Sequence, residues 1–408
     1  MMNATRLVLS CLALFASPAL AANPACKWRP AWASAQMVPE GDNALPAGAY
    51  KDMTLRQIVR TTVGGTKLRV RLSNAFGTAP LMLSAASIAP SPDNRAAAID
   101  LASLRPLLFG GARGVTIPAG SDMLSDPVDL PKGAPAFTDF AISIHYPDNP
   151  SVQTGHPGSR ATSHIAAGDQ VDAPTLAGAR TADHWFQLSG VEMLNCADAA
   201  VVAVLGDSIT DGRGSTTNGN DRWPDVLARR LAGKTAVLNQ GIGGNRLLND
   251  GLGPNALARL DRDVLAQAGV THLIVLEGIN DLGTSTRDAP ISTEAHKALV
   301  ARMIGAYSQI VERAHARGIK VIGATVMPFM DFDYYHPDAQ NEADRQAINA
   351  WIRAPGHFDA VVDLDKVTRD PAHPDRLLPA YDTGDHIHPN AAGYKAMGEA
   401  FPPELFNR

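Results

Sequence analysis

The chain of 408 residues has no Lys/Arg run, and its formal net charge is only -5. A nucleic-acid partner, which needs a basic face or stripe, is therefore not indicated. Beyond residue 21 no stretch approaches the roughly 18–20 apolar residues that span a bilayer, so no membrane span is expected. No internal repeat or low-complexity tract interrupts the chain. Cysteine is scarce, with three in all. What remains is 45% hydrophobic and 19% charged, the composition of a soluble globular protein. The length exceeds one ordinary core and suggests two domains.

The first 21 residues are not read as part of the fold. Arg6 supplies a positive start, residues 7–16 an apolar core, and Ala19-Leu20-Ala21 a small-residue cleavage site. Cleavage after Ala21 would give a periplasmic or secreted protein. Cys11 follows Arg6 too closely to be a lipid anchor behind a full apolar region. Removing the leader leaves Cys26 and Cys196. In an exported chain these can form one disulfide, fastening the mature N-terminus to the segment ahead of Val201, or they can remain two buried thiols.

Residues 22–197 read as a β-rich accessory domain. Residues 55–63 and 67–76 alternate apolar and polar side chains around Gly64-Gly65-Thr66, the pattern of a hairpin. Leu68, Val70 and Leu72 face one way, and Arg69 and Arg71 the other. Further strand signals recur with Gly/Pro turns and no amphipathic helix, which favours an antiparallel β-sandwich of jelly-roll type. Trp28, Trp32, Trp185 and Tyr146 could stack on sugar rings or serve as core.

Residues 198–408 change pattern. Strands at 201–205, 236–239, 272–276, 320–325 and 360–363 alternate with helices at 223–231, 256–267, 293–317, 338–352 and 391–401. This order implies an α/β fold, a parallel five-stranded sheet in a three-layer α/β/α (flavodoxin-like) arrangement. Ligands of such sheets bind at the carboxyl ends of the strands. There the sequence places Ser208, on a Gly206-Asp207-Ser208 turn, then the glycine-rich Asn239–Asn245 loop, then Glu277-Gly278-Ile279-Asn280-Asp281. Any one of these loops is an ordinary turn, and Asp207 and Ser208 are common helix caps. Together they offer a hydroxyl, a backbone N–H and an amide N–H to one point. No Gly-Lys-Ser/Thr follows the glycine-rich loop, so phosphate cradling is not expected.

Near the C-terminus Asp385 and His388 are three residues apart, close enough for the carboxylate to hold the imidazole Nδ1–H. A serine hydroxyl is nearly inert at neutral pH unless such a base takes its proton. His386 and His388 with nearby aspartates would otherwise be metal ligands, but no third histidine or cysteine completes a site, and none is assigned. No cofactor is expected. Arg213, Arg222, Arg246 and Glu277 lie near these loops, as substrate contacts or as salt bridges.

The four blocks GDSIT, NQGIGGN, GIND and DHIHPN, in this order over residues 201–403, resemble the signature blocks of the SGNH/GDSL hydrolases. GDSITDGRGST, GIGGNRLL and VLEGIND are similar to the branch of aryl and acyl esterases associated with xylan degradation. The resemblance implies Ser208 as nucleophile, His388 as base and Asp385 as its orienter. It implies Ser208 and Gly244 backbone N–H groups and the Asn280 side chain as oxyanion-hole donors, with Asp207 bracing the serine loop. The expected function is an exported serine esterase removing short acyl groups, acetyl above all, from plant polysaccharide or oligosaccharide. An aryl-ester or lipid acylhydrolase with the same triad, and a non-catalytic polysaccharide-binding protein, are the alternatives.

Overall fold

The computed structural model describes residues 26–197 and 199–407. The leader, its cleavage site and Cys11 lie outside the described residues. In the N-terminal region two antiparallel sheets enclose one core. One runs Lys27–Ala33, Leu188–Asn195, Gly65–Ser73 and Asp122–Leu124, with Val128–Ala134 also against Gly65–Ser73. The other runs Arg180–Ala182, Ser163–Ala167, Met53–Arg60, Asp139–Tyr146, Ala85–Pro90 and Arg105–Pro106. Leu68, Val70 and Leu72 from the first sheet and Leu55, Phe140, Ile142 and Ile144 from the second are fully buried between them. Arg69 and Arg71, on the opposite face, both bind Glu192 of the neighbouring strand, at 2.6 and 2.7 Å.

The hairpin expected around Gly64-Gly65-Thr66 does not form. Met53–Arg60 pairs with Asp139–Tyr146 and Ser163–Ala167, whereas Gly65–Ser73 pairs with Leu188–Asn195, so the chain crosses between sheets at that point. The glycines serve close approach here: a Cβ on Gly64 would stand 2.2 Å from the Ala134 carbonyl oxygen. Alternation identifies a strand but not its partner. Trp32, Trp185 and Tyr146 are buried, and Arg69 lies over the Trp28 ring, which leaves no open aromatic platform among them. Cys26 and Cys196 form a disulfide that joins the two ends of this region.

After Ala199 a parallel sheet takes over, in the order Thr235–Gly241, Ala200–Gly206, His272–Leu276, Lys320–Ala324, Ala360–Val362. Ala200–Gly206, the first of these strands in sequence, lies just inside the edge strand Thr235–Gly241, and the chain leaves it in one direction before returning to the other, which creates the switch point where such sheets bind ligands. Trp223–Arg230 packs on the C-terminal Ala391–Glu399 and Thr293–His315 on Ala339–Arg353, and right-handed crossovers, the rule for such sheets, put the two pairs on opposite faces. Trp223 and Phe401 stack at 5.1 Å between the first pair. A helix at Ile279–Thr286, not read from the sequence, carries the third loop. The core of the β-rich region continues into this sheet through Val201, Ala236 and Leu238. Thr62 adds a polar tie, its hydroxyl accepting from the Val237 N–H at 3.1 Å. Among the described residues no helix is long and apolar enough to cross a membrane.

Candidate active site

Strand Ala200–Gly206 is buried throughout and ends where the backbone must turn tightly; a Cβ on Gly206 would meet Thr210 Oγ1 at 2.1 Å. Asp207 then caps the single turn Ser208–Asp211, its carboxylate accepting from the Ile209 N–H at 2.9 Å. Burial raises the Asp207 carboxyl to about 7. Beneath the turn the guanidinium of Arg259 uses all five of its N–H groups. It donates to the carbonyls of Gly206 and Gln240, to Asn245 Oδ1, and to the carboxylates of Asp263 and Glu277. One buried side chain thereby fixes the carboxyl ends of three adjacent strands and the glycine-rich loop. Glu277, fully buried and pushed well above its usual range by desolvation, belongs to this support and does not reach a substrate. Arg222 is likewise buried, against Asp225 at 2.6 Å.

His388 approaches from the C-terminal segment, with Nε2 2.8 Å from Ser208 Oγ. Its Nδ1 donates to Asp385 Oδ2 at 2.6 Å, which leaves Nε2 as the acceptor for the serine hydroxyl. Partial burial raises the Asp385 carboxyl, but hydrogen bonding and charge from His388, with the N–H groups of His388 and Ile387, outweigh it and hold it well below the usual carboxylate range. Phe332 meets the His388 ring edge-on at 6.2 Å. His386 turns away on a left-handed backbone and takes Asp382 at 2.6 Å, so the two histidines bind different aspartates.

The third loop delivers Asn280 in a fixed attitude. Its Oδ1 accepts from the Tyr335 hydroxyl at 2.7 Å, and one Nδ2 hydrogen goes to the Asn245 carbonyl at 2.8 Å. The second amide hydrogen is the one available to a developing oxyanion. Next to it, Asp281 accepts from the N–H groups of Leu247 and Leu248, at 2.7 and 3.0 Å, and so anchors the end of the glycine-rich loop. Burial raises Asp281 to about 6 in spite of those bonds. Gly244 has φ of 71°, which only glycine adopts without strain, and Leu252 packs against it.

The structure therefore brings Ser208, His388 and Asp385 into one chain of hydrogen bonds, with Gly244 and Asn280 on the flanking strand ends. The sequence reading missed Tyr335, Asp281, Arg259 and Asp211. Asp281 and Asp211 lie inside blocks already singled out. Tyr335 has no sequence signal, because what places it is Gly283, where a Cβ would stand 2.0 Å from its ring.

Residues 204–396 match the GDSL-like lipase/acylhydrolase family. No curated protein matches the chain. Among solved structures, the chain is similar to a GDSL-like lipase from Bacteroides thetaiotaomicron, at 21% identity over 49% of this chain and 84% of that one, with a TM-score of 0.38. It is also similar to a carbohydrate acetylesterase family member from Sinorhizobium meliloti, at 19% identity over 50% of this chain and 97% of that one, with a TM-score of 0.39. An acetyl xylan esterase is similar at 20% identity over 49% of this chain and 96% of that one, with a TM-score of 0.37.

Proposed function

We propose that this protein is an exported serine esterase that removes short acyl groups, acetyl above all, from plant polysaccharide or its oligosaccharides. Residues 198–408 then act as the hydrolase domain behind the β-rich residues 22–197. The observation that carries the reading is the continuous path from Ser208 Oγ through His388, at 2.8 Å, to Asp385, at 2.6 Å. In the first half-reaction Ser208 Oγ bonds to the ester carbonyl carbon while its proton passes to His388 Nε2. The negative charge that collects on the carbonyl oxygen is met by the N–H groups of Ser208 and Gly244 and by the Asn280 amide. His388 then returns the proton to the leaving alcohol oxygen as the ester bond breaks, leaving an acyl group on Ser208. Water attacks that acyl group with His388 again as base, which releases the acid and restores the serine. Asp385 stays ionised throughout and balances the imidazolium.

Export is supported by the leader sequence and by the disulfide, which belongs to oxidising compartments. A hydroxyl-rich alcohol is supported by two polar clefts that share His386, two residues before His388. One of about 380 Å³ is lined by Asp331, Phe332, Asp333, His336 and His386, and a second of about 290 Å³ by Asp370, His373 and Arg376. Acid release from acetylated xylan, pectin and simple aryl esters tests the proposal, with Ser208→Ala as control. Ser208→Ala should lower turnover by roughly three to six orders of magnitude. Retained activity in that variant would remove the nucleophile assignment, and preference for long-chain or aryl esters would favour the lipid or aryl reading.

A further inference from the structure

His156, contributed by the β-rich region, reaches the back of the nucleophile turn. Its Nε2 lies 2.8 Å from Asp211 Oδ1, and both side chains are buried. Its Nδ1 lies 2.8 Å from the Ala35 carbonyl, an acceptor only, so that nitrogen carries a hydrogen. The remaining nitrogen faces a carboxylate, and the proton between them is shared by an ion pair or its neutral equivalent. Asp211 Oδ2 in turn accepts from the Gly243 N–H at 3.0 Å.

This carboxylate occupies a particular place. Asp211 ends the helical turn that Ser208 begins, and Gly243 immediately precedes Gly244. One side chain thus spans the nucleophile turn and the oxyanion loop. The backbone is pressed against it from both regions: a Cβ on Gly158 would stand 1.7 Å from Asp211 Oδ2, and one on Gly241 would stand 2.3 Å from the Asp211 nitrogen. His156 is held in turn by a short strand pair with Trp185–Phe186 and by stacking on the Trp185 ring. Left alone, a buried carboxylate is costly, and it would draw in water and release its second oxygen.

We propose that His156 and Asp211 are positioning residues, through which the β-rich region sets the Gly243-Gly244 donors against Ser208. The proposal rests on the serine-esterase reading above. The experiment uses the full-length mature protein and an aryl acetate, with kcat, KM and thermal midpoint measured together. Asp211→Ala and His156→Phe, the latter keeping the ring stack, should lower kcat about 10–100-fold with KM within about threefold, a partial loss of oxyanion stabilisation. Asp211→Asn should recover turnover to within about fivefold, because its amide can accept from Gly243 and donate to a neutral His156. Turnover near wild type in His156→Phe, whatever its thermal midpoint, overturns the proposal, and this holds if Asp211→Ala does not fold. An Asp211→Asn variant as impaired as Asp211→Ala overturns it also. Either result beside an inactive Ser208→Ala leaves the esterase reading standing, whereas an active Ser208→Ala removes that reading itself.

Discussion

Replacing Asn280 with alanine separates the chemistry of the site from its construction. Only one of the two amide hydrogens is free for a substrate, since the other is committed to Asn245 at 2.8 Å. The variant therefore removes one proposed oxyanion donor, such a donor being worth about 3–4 kcal/mol in the transition state, and kcat should fall about 10²–10³-fold. KM should change little, because the charge that this donor meets is absent from the bound ester. From the sequence alone the substitution is expected to leave folding almost untouched. The structure corrects that. Alanine strands the Tyr335 hydroxyl and the Asn245 carbonyl, and a buried polar group without a partner costs about 1–3 kcal/mol. A drop of several kcal/mol in urea unfolding should thus accompany the kinetic loss, and Tyr335→Phe added to Asn280→Ala should restore part of it. Initial rates on an acetyl ester below the unfolding transition measure the kinetic effect. A raised KM with kcat intact would refute the assignment of Asn280 as a transition-state donor.

Tyr335→Phe alone keeps the donor but releases its orientation, so kcat should fall by about three- to tenfold, well short of Asn280→Ala; an equal loss in the two variants would mean that Tyr335 acts otherwise. Asp207 should make stability depend on pH. Its folded value of about 7 lies above the unfolded range, so the native state holds a proton that the unfolded chain releases between pH ~4 and ~7. Stability from this group is fully present below that window and falls by up to about 1.4 kcal/mol per pH unit within it. Asp207→Asn, which can still cap the turn, should gain on the wild type in urea midpoints as pH rises from 4.5 to 8, and a constant difference would contradict this. Cys196→Ser opens a link across 170 residues and should cost about 2–5 kcal/mol in thermal unfolding under oxidising conditions; an unchanged midpoint would show the link to be idle.

Local pattern was enough to read every strand of the parallel sheet and most of its helices. The run at Ala200–Gly206 is apolar because both of its faces are covered, and the long helix at Thr293–His315 repeats its apolar residues at helical spacing. The helix at Ile279–Thr286 escaped because Gly283 and three Ser/Thr residues weaken any local preference for it, and tertiary packing supplies what propensity does not. The candidate triad was legible for a similar reason: its residues lie in short blocks whose types carry the chemistry.

What the sequence determined by itself, then, was the order of elements and which groups are the candidates for the chemistry, since both follow from neighbours within a turn or a strand. Tertiary structure alone decided which sheet receives Gly65–Ser73, that Glu277 lies beneath the site, and that Tyr335 and His156 reach it. Tyr335 meets Asn280 across 55 residues, and His156 meets Asp211 across 55. Such contacts depend on how finished elements pack, and no periodicity within either segment encodes the partner.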